Sequence, residues 1–198
     1  MKKLFAMTVA VLLLFSVLLG IPAAYGQAPE TGKTLDILFS HDTHSHLNTF
    51  TTVVEDEETD IGGFARANTL IKAQRAKDPD TLVIDGGDFS MGTLIQTVFE
   101  TQAAELRMLG YMGYDVTTFG NHEFDYGYAQ LAENMKAAKF KVLCADVLDA
   151  DGKTIFDANT IIEKGGVKIG FFGLETPEAQ TKANPKLIEG CLLYTSPS

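Results

Sequence analysis

The stretch Phe119-Gly120-Asn121-His122-Glu123-Phe124-Asp125 follows directly on an apolar run, Val116-Thr117-Thr118-Phe119. This order predicts a strand that ends in a polar turn, which is where α/β folds place their chemistry. A neutral Asn oxygen can bind a metal ion without adding charge, and a His held by an Asp can donate a proton to a leaving group. The turn alone does not favour a chemical role over a simpler interpretation, in which its polar residues cap a turn before a helix that begins near Tyr126.

A second polar cluster favours the chemical interpretation, because it holds three of the four histidines in the chain. The segment Ser40-His41-Asp42-Thr43-His44-Ser45-His46 follows residues 34–40, which we predict to be the first strand. Asp42 and His44 are two residues apart, so in extended backbone both side chains project to one side. A carboxylate oxygen and an imidazole nitrogen then converge on one point, as a Zn²⁺, Mn²⁺ or Fe site needs. The Asp-X-His triplet by itself is weak evidence for a metal site, since most such triplets lie in surface loops.

A third polar turn, Asp85-Gly86-Gly87-Asp88, ends the predicted second strand at residues 81–84. Its glycines allow a tight turn that delivers Asp88 to the carboxyl end of the strand. Strands alternate with helices along the chain, so we expect parallel pairing with right-handed crossovers. The three polar turns then meet at the carboxyl edge of one sheet.

The remaining pattern predicts helices at residues 64–76, 94–112 and 128–139, and strands at 115–119, 141–145 and 167–174. In the first helix, Phe64, Ala67, Leu70 and Ile71 should face the sheet, and Leu106, Leu109 and Met112 form the buried stripe of the second. Residues 54–60 are acidic and indicate a solvated loop. Residues 154–156 and 160–162 indicate a hairpin arm or edge pair. The apolar run 167–174 is typical of a strand covered on both faces.

The length and net charge of the chain exclude some classes of function. The chain has 198 residues, enough for one domain with a core, and a formal net charge of -10. Such a chain has no general affinity for nucleic-acid backbones or anionic membranes, so an anionic substrate needs local positive charge, which metal ions supply. Cys144 lies in an apolar run and indicates a core residue; with Cys191 it makes neither a zinc knuckle nor a disulfide framework.

The two ends lie outside the predicted domain at residues 33–190. Residues 1–26 predict a secretory signal peptide, with a basic start, an apolar segment and small residues before cleavage after Gly26 or Ala28. The alternative is an uncleaved anchor. We therefore expect a secreted, periplasmic or cell-surface protein. Residues 191–198 resemble the translation of a sequencing adapter, so we expect a non-native tail and a native gene that continues beyond Gly190.

Five motifs together carry a family resemblance: Asp42-Thr43-His44, Gly62-Gly63-Phe64-Ala65-Arg66, Gly87-Asp88 with Gly92-Thr93, Gly120-Asn121-His122-Glu123-Phe124-Asp125, and Gly170-Phe171-Phe172-Gly173-Leu174. In this order and spacing, they resemble the calcineurin-like metallophosphoesterases, and within them the secreted 5'-nucleotidase and UDP-sugar hydrolase family. The resemblance covers residues 35–175. It implies an α/β sandwich of sheets flanked by helices, here incomplete at the C-terminus.

The resemblance also implies residue roles and cofactors. Four residues would bind two divalent metal ions (Zn, Mn, Mg, Fe or Co): Asp42, His44, the bridging Asp88 and Asn121. Asn121 and His122 would contact the substrate phosphate, and His122, oriented by Asp125, would protonate the leaving oxygen. The metal pair would activate a bridging water for in-line attack without a phosphoenzyme. The expected substrate is a nucleotide or another small phosphoester.

Two departures from the family pattern qualify this expectation. Asp146 stands where the family often has Asn, and no histidine follows His122, although the family completes its metal shell with downstream histidines. The family's C-terminal domain, which stacks the nucleobase, is also missing. We therefore expect the fragment alone to be inactive.

Three alternatives stay open. One is a 2',3'-cyclic-nucleotide 2'-phosphodiesterase/3'-nucleotidase. Another is a non-catalytic secreted binding protein on the same fold, which predicts lost metal residues, yet those expected in this stretch are present. The last is a plain secreted α/β domain whose polar turns are caps.

Overall fold

The computed structural model describes residue 32 and residues 34–193. The predicted signal peptide, residues 1–26, lies outside these residues and stays a prediction. Among the described residues, none of the helices combines the length and the apolar character that crossing a bilayer requires.

The described elements follow in chain order. The strands are β1 (Ile37–Ser40), β2 (Phe50–Val54), β3 (Glu57–Ile61), β4 (Leu82–Asp85), β5 (Val116–Thr117), β6 (Lys141–Val142), β7 (Val147–Leu148), β8 (Asn159–Lys164), β9 (Val167–Phe172) and β10 (Leu192–Leu193). The α-helices are α1 (Phe64–Lys77), α2 (Phe99–Gln102), α3 (Ala104–Met112), α4 (Tyr128–Asn134) and α5 (Ala179–Lys182). Turns of 3₁₀ helix cover Leu94–Val98, Asn121–Phe124 and Met135–Ala137.

Four parallel strands form the central sheet, in the order β1, β4, β5 and β6. Asp85 at the end of β4 lies opposite Ser40 on one side and Thr117 on the other. Helices lie in the connections between successive strands, so the predicted parallel α/β architecture is confirmed. Because the strands run in one direction, the loops after β1, β4 and β5 leave from the same edge of the sheet.

The apolar core packs the helices against this sheet. Its largest members are at most 2% exposed and include Phe89, Phe99, Leu106, Leu109, Phe119, Phe124 and Leu131. Burying a side chain of this kind stabilises the fold by about 1.5–3 kcal/mol. Leu106, Leu109 and Met112 are buried as the helical spacing predicted, and Cys144 is a fully buried free thiol.

Three local predictions are wrong. The predicted helix at 94–112 is broken into a 3₁₀ turn, α2 and α3, because Ala103 adopts a left-handed conformation with φ 45°. The acidic segment 54–60 is solvated but forms part of the β2–β3 hairpin rather than a loop. Leu70 on α1 is 68% exposed instead of facing the sheet, because the buried side of the helix is narrow and contains Phe64 and Ile71.

The prediction that the apolar run at 167–174 is a strand covered on both faces is also wrong. It forms β9, which pairs antiparallel with β8 through a turn at Gly165 and Gly166, both with positive φ. One face is open in the described structure, where Ile161 and Phe172 are 70% and 71% exposed. Residues 160–162 therefore pair with 169–171 rather than with 154–156.

The predicted non-native tail begins at Cys191. Of its described residues, Leu192 and Leu193 form β10, which pairs antiparallel with β7. The pairing leaves the origin of the tail untested, so the boundaries 33–190 and 191–198 stay predictions.

Candidate metal centre

Three sequence-predicted ligands converge at the carboxyl edge of the sheet. Donor atoms of Asp42, His44 and Asp88 all lie within 4.8 Å of one another. Asp42 and His44 follow β1, and Asp88 follows β4, so the neighbouring position of these strands in the sheet brings them together. Their convergence was predicted correctly, but the extended backbone predicted for Asp42 and His44 is wrong, because these residues have φ 51° and 43°, in the left-handed region.

The loop after β1 runs alongside the loop after β4. Asp42 donates its backbone N–H to the Gly87 carbonyl at 2.9 Å, and His44 donates to the Asp88 carbonyl at 3.0 Å. These bonds continue the β1–β4 pairing past the ends of the strands and fix the two ligand loops against each other.

The His44 ring is oriented through its Nδ1 atom. That atom lies 3.0 Å from the Met91 carbonyl and 3.2 Å from the Ser90 carbonyl, both of which can only accept. Nδ1 therefore carries a proton, and Nε2, 3.5 Å from Oδ1 of Asp42, is the ring nitrogen that faces the other ligands. On the other side, the hydrogen bond with His41 holds the pKa of the Asp42 carboxyl below its usual value. The Asp42 carboxyl is thus held in the ionised state that a metal ion requires.

Two glycines allow the loops after β4 and β5 to touch. A Cβ atom on Gly87 would lie 2.4 Å from the Phe119 carbonyl carbon, and Gly87 has φ 96°. A Cβ atom on Gly120 would lie 2.2 Å from Oδ1 of Asp88. Neither approach leaves space for a side chain, which explains the Gly-Gly-Asp and Gly-Asn-His patterns physically.

The turn Asn121–Phe124 carries the next predicted residues and contacts Asp88 through His122. His122 donates its backbone N–H to Oδ1 of Asp88 at 3.0 Å, and its Nδ1 lies 2.7 Å from Oδ2 of Asp125. The rings of His44 and His122 meet edge to face, with centroids 5.3 Å apart. Asn121 is 5% exposed, and its side-chain nitrogen has no hydrogen-bond partner among the described residues.

Sequence reasoning missed Glu123, which connects both loops. One carboxylate oxygen accepts the N–H groups of Asp88 and Gly120, each at 2.8 Å. The other accepts the Ser90 N–H at 3.0 Å and the Ser90 hydroxyl at 2.7 Å. Burial raises the pKa of this fully buried carboxyl to about 8, against the opposing effect of the donors. Glu123 belongs to the quoted motif, but its partners lie more than thirty residues away in sequence, at Asp88 and Ser90.

A divalent cation fits this donor set. The centre offers two carboxylates and an imidazole nitrogen whose partner nitrogen is already bound, and the adjacent turn supplies the side-chain oxygen of the buried Asn121. Carboxylate and imidazole together suit Zn²⁺, Mn²⁺ and Fe²⁺. A cation would also offset the repulsion between Asp42 and Asp88.

Residues 36–190 match the family described as calcineurin-like phosphoesterase. The chain belongs to the calcineurin-like phosphoesterase family. It is 33% identical over 149 residues to a probable 5'-nucleotidase of Treponema pallidum, covering 72% of this chain and 25% of that protein. It is 32% identical to a 2',3'-cyclic-nucleotide 2'-phosphodiesterase/3'-nucleotidase of Haemophilus influenzae, covering 76% of this chain and 26% of that protein.

A solved structure supports the fold. The 5'-nucleotidase precursor of Thermus thermophilus superimposes with a TM-score of 0.69 at 31% identity, covering 81% of this chain and 32% of that one. The chain thus spans about a quarter to a third of the length of these calcineurin-like relatives.

Two other residues named from the sequence have local roles in this family member. Asp146, where Asn was expected, accepts the Glu175 N–H at 2.9 Å and the Cys144 thiol at 3.4 Å. Arg66, the last residue of the second motif, donates to the backbone carbonyl of Asp60.

Proposed function

We propose that the chain is the N-terminal part of a secreted, metal-dependent nucleotidase that hydrolyses phosphoesters of nucleotides, most simply a 5'-nucleotidase. The observation that carries the proposal is the convergence of Asp42, His44 and Asp88, with His122 bonded to Asp88. The 5'-nucleotidase relatives support the substrate class. The signal peptide at 1–26 would direct the protein to the periplasm or cell surface.

Four residues would hold two divalent ions in this proposal. Asp42 and His44 would bind the first, Asn121 the second, and Asp88 both. When bound, the ions would neutralise phosphoryl oxygens and lower the pKa of a water molecule. Further ligands would come from residues of the native protein beyond Gly190, as would the domain that binds the nucleoside.

His122 would serve as the proton donor. Its Nδ1 lies 2.7 Å from the Asp125 carboxylate, which fixes the orientation of the ring. In the protonated ring, Nε2 would carry the proton that passes to the leaving oxygen as the phosphorus–oxygen bond breaks. Asn121 and His122 would also contact the phosphate.

A second candidate is a 2',3'-cyclic-nucleotide 2'-phosphodiesterase/3'-nucleotidase, because a relative of that description is 32% identical. The two candidate activities can be distinguished by the substrates that the protein hydrolyses. The native reading frame containing this chain, called here the full-length protein, is expressed and assayed with Mn²⁺ on 5'-AMP, 3'-AMP and 2',3'-cyclic AMP.

We expect phosphate release from 5'-AMP that EDTA and Asp88→Asn both abolish. Preference for the cyclic substrate and 3'-AMP would select the second candidate. Metal binding without turnover of any nucleotide would identify a binding protein and contradict the proposal.

A further inference from the structure

A buried carboxyl lies behind the loop that carries Asp42 and His44. Glu105 on α3 is 0% exposed, and one of its oxygens accepts the Ser45 hydroxyl at 2.6 Å. Ser45, the residue after His44, is also 0% exposed. The other oxygen of Glu105 has no hydrogen-bond partner among the described residues. Such burial of a carboxyl costs stability, so this pair is poorly explained as a stabilising device.

Every polar atom of Ser45 is bound. Its N–H donates to the Phe89 carbonyl at 2.9 Å, its carbonyl accepts the Thr93 hydroxyl at 2.6 Å, and its own hydroxyl reaches Glu105. The residue is held from three directions, by the loop after β4, by the segment before α2 and by α3. Ser45 is therefore the fixed end of the loop after β1, which carries Asp42 and His44.

The loop needs such an anchor because its backbone is unusual. Asp42, His44 and Ser45 all have φ between 43° and 53°, the left-handed region that non-glycine residues rarely occupy. Strained conformations persist only where the surroundings over-determine them. A loop free to relax would swing Asp42 and His44 away from Asp88.

We propose that Glu105 is a positioning residue, which through Ser45 holds the left-handed loop that directs Asp42 and His44 at the metal. This inference rests on the proposed function. Glu105 touches neither metal nor substrate, and its effect passes through a single hydroxyl. Groups that orient metal ligands typically change metal affinity by about 10–100-fold when removed.

The test measures Mn²⁺ binding by calorimetry to the metal-stripped full-length protein, alongside its melting temperature in EDTA. The variants are Ser45→Ala, Glu105→Leu, their combination, and Glu105→Gln, whose amide oxygen still accepts the hydroxyl. Thr81→Val is the matched control, because Thr81 is also 0% exposed and donates to the Asp78 carbonyl at 2.8 Å, but at the opposite end of β4.

We expect Ser45→Ala and Glu105→Leu each to weaken Mn²⁺ binding about tenfold or more, with the double variant no weaker than either. Glu105→Gln should bind within about twofold of the wild type, and Thr81→Val should lower the melting temperature without changing affinity. Unchanged affinity in Ser45→Ala, or an additive double variant, would overturn the inference. If Glu105→Leu does not fold, Ser45→Ala decides. A wild-type protein that binds no Mn²⁺ would instead remove the proposed function itself.

Discussion

His122 has two distinct contacts, and they divide its roles at the scale of a residue. Its backbone N–H holds Asp88, while its ring is held by Asp125. Substituting the side chain therefore removes the ring and leaves the backbone bond to the proposed metal ligand in place.

We expect His122→Ala in the full-length protein to lower kcat by about 10²–10⁴-fold with little change in metal content. The loss should shrink for substrates with good leaving groups, such as p-nitrophenyl phosphate, if proton donation is the main role. Steady-state kinetics and metal analysis of the purified variant provide the measurement. Loss of metal together with activity would make His122 a ligand and contradict this assignment.

Glu123→Gln should destabilise the protein and weaken metal binding together. All four contacts of the carboxylate are donors, so the amide group of Gln would face N–H or O–H groups and leave buried donors unpaired. Each unpaired group costs about 1–3 kcal/mol.

Denaturant unfolding and Mn²⁺ calorimetry measure both effects. Glu133→Gln is the control, because the Glu133 side chain is 63% exposed and pairs only with Lys136 in the described structure. Equal stability of the two variants would show that Glu123 does not tie the loops.

At the scale of the element, the loops after β4 and β5 act as one unit because a glycine lies where they touch. We expect Gly120→Ala to displace Asp88 and lower metal affinity strongly, since its Cβ atom would lie 2.2 Å from Oδ1 of that residue. Gly170→Ala in β9 is the matched control, because nothing lies within 4 Å of its added Cβ atom. Melting temperatures and Mn²⁺ calorimetry of both variants test this. A Gly120→Ala protein that binds metal like Gly170→Ala would refute the steric argument.

At the scale of the whole molecule, buried carboxyls link folding to pH. Glu175 is 4% exposed, and one oxygen has no hydrogen-bond partner in the described structure. Burial, with smaller contributions from Glu123, Asp88 and Asp146, raises its pKa to about 8. Since the folded pKa lies above the unfolded one, this group stabilises the fold at low pH, and that contribution disappears as pH rises through the folded value.

Metal-free protein should therefore lose stability between about pH 5 and pH 8, and Glu175→Gln should lose less. The Gln side chain stays neutral, so the variant should match the wild type near pH 5 and exceed it near pH 8. Thermal unfolding in EDTA across this range is the measurement. Identical pH profiles would show that Glu175 does not contribute, leaving Glu123, Glu105 and Asp85 as the carboxyls whose raised pKa values have the same sign.

The last prediction concerns the activity of the isolated fragment. Residues 27–190 expressed alone should show little phosphatase activity, because Asp42, His44, Asp88 and Asn121 shared between two ions leave each ion short of ligands, and no histidine follows His122. Assays on 5'-AMP and a generic phosphomonoester with Mn²⁺ or Zn²⁺, beside the full-length protein, test this. Robust metal-dependent turnover would mean that the site closes within these residues.

The sequence by itself determined the parallel α/β architecture and the meeting of Asp42, His44 and Asp88. Strand and helix periodicity are local, and in a parallel sheet every strand end reaches the same edge, so motifs that follow strands converge without further information. The buried stripe of α3 followed from its spacing for the same reason. The Gly165-Gly166 pair between two apolar runs is a hairpin signal that lies in the sequence itself, so the β8–β9 pairing is also readable from it.

Only the tertiary structure decided which residues became buried and which stayed exposed, because burial depends on what packs against a residue from elsewhere in the chain. Leu70 faces solvent, and the β8–β9 hairpin has an open face, although both sequences are apolar. Glu105 shares its helix face with Leu109 and Met112, which hinted at a buried acid, but its partner Ser45 is sixty positions away. Glu123 likewise gained its role from Asp88 and Ser90, contacts that exist only once the loops after β4 and β5 touch.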